Sequence, residues 1–163
     1  MCAEPLNEKP SGAESARIVP AGEKALIADG ILREKVRLMD KRLKTLHSFE
    51  GLAPDRFAES LPALGRAMAL LAQSAIDISH TLLRRYTTRV PRSYYDIVDS
   101  CEQRGLLSAA LVKPLARQLV LADSGYEGID AEDVARIHKG IPESVRVFQD
   151  FLDRAREFLN HSS

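Results

Sequence analysis

A basic, tyrosine-rich segment between Ile78 and Tyr95 is the clearest place in this sequence for chemistry, because it carries arginines and a histidine without any acid. Guanidinium groups pair bidentately with phosphate, and tyrosine rings stack on unpaired bases. The segment therefore predicts contact with single-stranded RNA. Arginines near a helix C-terminus also complement the helix dipole, which is the structural alternative. The candidate RNA-binding residues are Arg84, Arg85, Arg89 and Arg92.

An aspartate and a histidine stand one helical turn apart in the same region. Asp77 precedes His80 by three residues, and a carboxylate that orients an imidazole is a common preparation for acid–base chemistry. The same spacing is equally common in a helix-surface pair without function. The other histidines show no ligand spacing, and the sequence has no glycine-rich phosphate loop, so we expect neither a metal site nor a cofactor.

The third candidate is a loop, Asp-Ser-Gly-Tyr-Glu-Gly-Ile-Asp, at residues 123–130. Loops positioned by a rigid scaffold often carry function. Asp123, Ser124 and the glycines are ordinary turn residues, and a simple turn is the alternative. A simple turn does not require Tyr126, so this tyrosine is the candidate functional residue of the loop.

Two long amphipathic helices hold these candidates in place. The sequence predicts them at about 23–48 and 61–86, from apolar residues repeated every three or four positions. Such stripes form the core of one chain or pair helices between chains. The first stripe is Leu32, Val36, Met39, Leu43 and Leu46, and the second is Leu61, Leu64, Met68, Leu71, Ala75, Ile78 and Leu82.

Three further helices follow in the sequence. Ser93 is predicted to cap a short helix that Gly105 closes. The next helix starts at Ser108 and is expected to kink at Pro114. The last begins at Asp130 and carries an apolar stripe to the C-terminus, with an interruption expected at the Gly-Ile-Pro sequence ten residues on. No alternation typical of strands occurs, so the predicted fold is an all-α, up-and-down bundle: four helices in the core and one short helix.

Length and composition fit one helical domain over residues 23–163, after a disordered tail over residues 1–22. The chain has 163 residues, 45% of them hydrophobic, and 23 basic residues balance 23 acidic ones. Any attraction to nucleic acid must therefore be local. The two cysteines lie far apart, no apolar run is long enough to cross a membrane and the N-terminus lacks a signal peptide, so the expected location is the cytoplasm.

The ordered set of motifs resembles the HepT-like branch of the HEPN proteins over about residues 30–160. The resemblance lies in Ala75-Ile76-Asp77-Ile78 with His80, in Pro91 with Ser93-Tyr94, in Gly105-Leu106-Leu107, and in Tyr126 before Ile129-Asp130. It implies a homodimer encoded beside a minimal nucleotidyltransferase. In active members the HEPN protein is a metal-independent endoribonuclease toxin. Its nucleotidyltransferase antitoxin adds AMP to a tyrosine, and Tyr126 is the matching candidate acceptor.

The sequence departs from this family at the catalytic motif, an arginine beside a polar residue, then a histidine and, shortly after it, a tyrosine. If Arg117 is the arginine, the histidine position is Ala122. If Tyr126 fixes the register, the histidine position is Ser124 and the arginine position is Leu119. Both registers lack the histidine, although Arg117 stays the candidate catalytic residue, with Asp77, His80, Asp123 and Ser124 as candidate supporting groups.

The expected function is therefore that of a weak or inactive family member. Cleavage of RNA without a metal needs a group that moves a proton and a cation that stabilises the charge on phosphorus. Arginine supplies only the cation. The leading hypothesis is a dimer that binds RNA and its nucleotidyltransferase; the alternatives are an active ribonuclease toxin that uses Arg117 and an unrecognised base, and a dimeric scaffold with neither role.

Overall fold

The computed structural model describes residues 21–126 and 128–161, and these residues contain helices and no strand. The predicted all-α fold is confirmed. The predicted tail lies outside the described residues, except that residues 21 and 22 already belong to the first helix. The helices are α1 (Ala21–His47), α2 (Pro54–Glu59), α3 (Leu61–Leu83), α4 (Tyr94–Gln103), α5 (Ala109–Ser124) and α6 (Ala131–His161).

Helix α3 is the centre of the bundle, because it contacts each of the other five helices. Helix α1 packs along both α3 and α6, while α5 packs between α3 and α6 on another side. Helix α4 lies against α3 and α5, and the short α2 contacts α3 and α6. The long helices α1, α3, α5 and α6 thus form a bundle to which the two shorter helices attach.

The apolar stripes of the sequence form the core of this bundle. All five stripe residues of α1 are buried, and so are those of α3 apart from the half-buried Leu61. In α6 the buried stripe includes Phe148, Leu152, Ala155 and Leu159. Because these faces are already covered within one chain, they supply no interface for a second copy.

Helix ends follow the local sequence signals. The Ser93 hydroxyl accepts a hydrogen bond from the Asp96 backbone N–H at 3.2 Å, which caps α4 as predicted. Gly105 has φ of +67° just after α4, the left-handed conformation that ends a helix. Asp130 caps α6 in the same way, with its carboxylate 2.8 Å from the backbone N of Asp133.

Three details differ from the sequence prediction. The short helix α2 was not predicted, and it starts at Pro54, where the missing N–H costs nothing. Helix α3 ends at Leu83, three residues early. The predicted interruption of α6 is wrong, because the helix runs unbroken through Pro142. The proline gives up one backbone hydrogen bond, and the burial of Ile141 and Ser144 on either side keeps this part of α6 on the core.

No helix in the described part of the chain combines the length and apolar character needed to cross a membrane.

Candidate functional site

The functional candidates near the C-terminal end of α5 surround a cavity of about 420 Å³, which we call the Tyr126 cavity. Helix α5, the following loop and the first half of α6 form its walls. This volume lies in the range of small-ligand sites. Its lining includes Gln118, Leu121, Tyr126, Ile137, Glu143 and Ser144.

Tyr126 stands half-buried between this cavity and helix α3. A Cβ atom built on Gly65 would lie 3.0 Å from Cδ2 of the Tyr126 ring, so a larger residue there would press the ring outward by a few tenths of an ångström. Gly125 and Gly128 on either side of the tyrosine have φ of +70° and +68°. Burial raises the pKa of the Tyr126 phenol above its ordinary value.

Gln118 is the buried polar residue of the cavity. Its side chain is 5% exposed, and its Oε1 atom accepts no hydrogen bond within the described structure. Such an unsatisfied acceptor costs about 1–3 kcal/mol of stability. Ser144 is equally buried, but its hydroxyl donates to the Gly140 carbonyl at 3.3 Å. Among the described residues of this wall, Gln118 is therefore the one with an unsatisfied buried side-chain atom.

The charged groups of the cavity are mainly acidic. Asp133 and Arg136 form an ion pair of 2.6 Å one turn apart on α6. Glu143 lines the same cavity from the next turns of the helix. Two carboxylates and one guanidinium leave the cavity with a net negative charge.

Leu119 and Ser124, which one register of the resemblance compares with a catalytic arginine and histidine, have structural neighbours within the bundle. Leu119 is 5% exposed and belongs to the hydrophobic core. The Ser124 hydroxyl donates to the Leu121 carbonyl at 2.9 Å, and Asp123 is exposed. Arg117 is exposed on α5 and does not line the Tyr126 cavity, whereas its neighbour Gln118 does.

The basic segment splits into two places. Arg84 and Arg85 lie at the end of α3 beside the start of α1, where they line a groove of about 410 Å³. We call it the cationic groove, and Lys24, Lys35 and His80 also line it. Arg84 is exposed, while Arg85 forms an ion pair with Asp29 of α1. Arg85 thus ties two helices together, and Arg84 faces solvent.

Arg89 and Arg92 lie on the connection to α4 instead. The Arg89 guanidinium stands 3.6 Å from the Asp96 carboxylate, and the backbone N–H of Arg92 donates to the same carboxylate at 2.8 Å. Both arginine side chains are exposed. Their shared acid belongs to the cap of α4, so the predicted patch has an acidic residue within it.

Asp77 and His80 have different neighbours. The Asp77 carboxylate accepts a hydrogen bond from Gln73 Nε2 at 2.9 Å. His80 lines the cationic groove, and no hydrogen bond between it and Asp77 is found among the described contacts. Both residues stand near the end of α3, whereas Tyr126 packs against its beginning. The pair therefore does not join the Tyr126 cavity.

The sequence analysis did not identify three features as functional candidates: Gln118, Gly65 and the lysines of α1. Lys24 and Lys35 come from a helix distant in sequence from Arg84, and only helix packing brings them into one groove. An isolated glutamine or glycine in a helical pattern carries no signal of its own. Within residues 21–126 and 128–161 no three histidine, cysteine, aspartate or glutamate side chains are arranged to hold a metal ion.

No protein-family model and no curated protein matches this chain.

Proposed function

We propose that this protein is a HepT-like member of the HEPN proteins that has lost its nuclease chemistry and works in the cytoplasm as a binding partner of a minimal nucleotidyltransferase. The observation that carries the proposal is the Tyr126 cavity. It has a tyrosine where the resemblance expects the AMP acceptor, and no imidazole is among the described residues that line it. The histidine position is Ala122 if Arg117 fixes the register and Ser124 if Tyr126 does, and the Ser124 hydroxyl is bonded to its own helix.

The absence of an imidazole from this lining argues against efficient RNA cleavage. Loss of a general acid–base group removes about two to four powers of ten in rate. The arginine that does line the cavity, Arg136, is already paired with Asp133. Glu143 would also repel an approaching phosphate, so the cavity is poorly suited to an RNA backbone.

Tyr126 supports the proposed link to a nucleotidyltransferase. The glycines on both sides of it have positive φ, a backbone conformation that other residues rarely adopt. Its ring is half-buried against Gly65, and transfer of AMP requires that the phenol leave this position. An added nucleotide would bring negative charge and bulk to the mouth of the cavity.

Weak RNA binding would use the cationic groove. Lys24, Lys35 and Arg84 line one concavity, and no acid is among the described residues of its lining. Asp29, which lies outside that lining, pairs with Arg85. Phosphate contacts from such groups give affinity that depends on salt and not on sequence. Arg89 and Arg92 would add to this surface from the neighbouring connection.

Dimerisation is also part of the proposal, and helix α1 offers a surface for it. Leu26, Ile27 and Ile31 are 74%, 51% and 48% exposed, and because Ile27 and Ile31 also line the cationic groove, this dimer surface borders the proposed RNA surface. Large apolar side chains that cluster on one exposed face mark interaction surfaces. Sedimentation should give a mass near 36 kDa, about twice the 18.0 kDa of one chain, at micromolar concentration. A stable monomer there contradicts this part.

The function is tested by coexpression with a minimal nucleotidyltransferase encoded next to the gene, followed by mass spectrometry. We expect an AMP adduct that is lost in Tyr126→Phe and kept in Tyr95→Phe, whose ring is exposed on α4. The purified protein should cleave RNA very slowly, and Arg117→Ala should leave that rate unchanged.

Clear cleavage that Arg117→Ala abolishes would instead establish the active ribonuclease toxin. An adduct absent from every variant, together with no RNA binding, would leave the dimeric scaffold.

A further inference from the structure

The Tyr126 cavity has the chemistry of a site for a positively charged organic group. We propose that it binds a guanidinium or an alkylammonium group, with Gln118 and Glu143 as its hydrogen-bond acceptors. This goes beyond the function proposed above and does not depend on it, because it concerns a ligand held by this chain alone.

The first argument is the buried amide of Gln118. The side chain lines the cavity, it is 95% removed from solvent, and its Oε1 atom lacks a donor in the described structure. Native proteins rarely leave a buried acceptor unpaired without a functional reason or an ordered water. The oxygen itself is buried, so the amide must turn toward the cavity before a ligand that carries N–H groups can satisfy it.

The second argument is the charge of the wall. Glu143 forms no ion pair among the contacts of the described residues, while Asp133 is held by Arg136 at 2.6 Å. The Glu143 carboxylate is thus available to bind a ligand. A cation satisfies it and an anion is repelled, which separates this site from a phosphate site.

The third argument is the shape and the apolar lining. Tyr126 contributes an aromatic ring, and Leu121, Ile129 and Ile137 contribute apolar side chains. A cation above an aromatic ring is attracted by its quadrupole. Guanidinium is planar and weakly hydrated, so it stacks on such a ring at a smaller desolvation cost than ammonium.

The cation has two possible sources with the same chemistry, a free small molecule or an arginine side chain of another protein. Two pairs of probes separate them. Butylguanidinium is compared with neutral butylurea, and the peptide acetyl-Gly-Arg-Gly-amide is compared with the same peptide carrying citrulline. Binding is followed by calorimetry and by the NMR signals of the Tyr126 ring, on the full chain.

We expect each charged probe to bind at least about tenfold more tightly than its neutral counterpart, a difference of about 1.4 kcal/mol. An arginine peptide that binds better than butylguanidinium identifies a protein side chain as the source. Equal or weaker binding of the peptide identifies a free ligand.

Glu143→Gln should abolish the preference for charged probes, and Asp150→Asn is its matched control. Both residues are exposed on α6, and Asp150 lies outside the cavity, so both variants keep the fold. Gln118→Met should weaken binding of the charged probes. Without a probe the same variant should unfold at a higher denaturant concentration, since it removes an unpaired buried oxygen.

The proposal is overturned if charged and neutral probes bind alike, if neither binds at millimolar concentration, or if Glu143→Gln binds as the unchanged protein does. In each case Gln118 is satisfied by water alone. None of these results bears on the AMP adduct expected on Tyr126 or on the expected RNA cleavage rate. The two proposals can therefore fail separately.

Discussion

The two ends of helix α3 carry opposite kinds of surface. Gly65, at its beginning, lies against Tyr126, which lines the acidic cavity, whereas Arg84, just beyond its end, lines the cationic groove. These residues are 19 positions apart, which is about 28 Å along a helix. The cavity uses a loop and two helices, while the groove is built from α1 and α3 alone.

This contrast shows how little a net charge of zero says about function. The 23 basic and 23 acidic residues cancel only in the sum. At a separation of about 28 Å, ions at physiological strength screen each surface from the other, since the Debye length is about 8 Å. Each end therefore acts as its own electrostatic site, and separate substitutions test them.

The largest expected effect concerns the buried thiol near the groove end of α3. Burial raises the pKa of the Cys101 thiol to about 12, from an ordinary value of 9.0. The folded state thus keeps a proton that the unfolded chain loses above pH 9. Stability is full below pH 9 and declines as pH rises toward 12, by at most about 1.4 kcal/mol per pH unit. Denaturant titration at pH 8, 9 and 10 measures this decline.

Cys101→Ala is the control for this decline. It leaves a small cavity and lowers stability at pH 8, but its stability should vary less between pH 8 and 10 than that of the unchanged protein. Burial of Tyr126 acts in the same direction, since its phenol pKa is also raised, but that loss begins above the ordinary value of 10.0. If Cys101→Ala keeps the full decline, the thiol is not its source.

The next effect separates two neighbouring arginines of the groove. Arg85→Ala leaves Asp29 without its ion-pair partner and should lower stability by about 1–3 kcal/mol. Arg84→Ala removes an exposed side chain and should change stability by less than about 0.5 kcal/mol. For RNA we expect Arg84→Ala to reduce the salt slope of binding by about one.

Urea unfolding and RNA titration at several salt concentrations measure both variants. The same stability loss in both variants would contradict the division of roles. An unchanged salt slope in Arg84→Ala would remove the groove from RNA binding.

The fold was largely predictable because the α1 and α3 stripes are continuous and regular, and each ends near a residue with a local signal. Leu32 and Leu64 are buried as their spacing predicts. The unbroken course of α6 was not predictable, because packing around Ile141 outweighs the local preference of Pro142. The division of the basic segment into two places was also not predictable from the sequence, because Asp29, the ion-pair partner of Arg85, is distant from it in sequence.

The cavity itself was predicted only through Tyr126. Its wall includes Gln118, and its tyrosine lies against Gly65; both residues belong to helices whose patterns give them no special place. Which helix face Gln118 occupies relative to Arg117 depends on the rotation of α5, and a shift of one residue turns a helix by about 100°. The sequence therefore offered no means of telling that Gln118 lines the cavity while the candidate Arg117 is exposed outside it.

The smallest expected effect is at Gly65, and it tests whether Tyr126 belongs to the cavity end of α3. Alanine in a helix is favoured over glycine by about 1 kcal/mol, so Gly65→Ala gains helix stability. Its Cβ would stand 3.0 Å from the Tyr126 ring, so the ring must move outward by a few tenths of an ångström or more. The two effects oppose, and the net change should stay below about 1 kcal/mol.

Gly30→Ala in α1 is the matched control, because a Cβ there meets no atom within 4 Å and the variant should show the full gain. The ring displaced by Gly65→Ala becomes better solvated, so the pKa of Tyr126 should fall toward its ordinary value while it stays raised in Gly30→Ala. Absorbance titration of the tyrosines, with Tyr126→Phe to identify the signal, measures the difference. Equal stabilisation by both alanines with the Tyr126 pKa unchanged would mean that the ring does not rest against α3 in solution. Tyr126 would then be a free loop residue, already open to another enzyme, and the cavity would lose its aromatic wall.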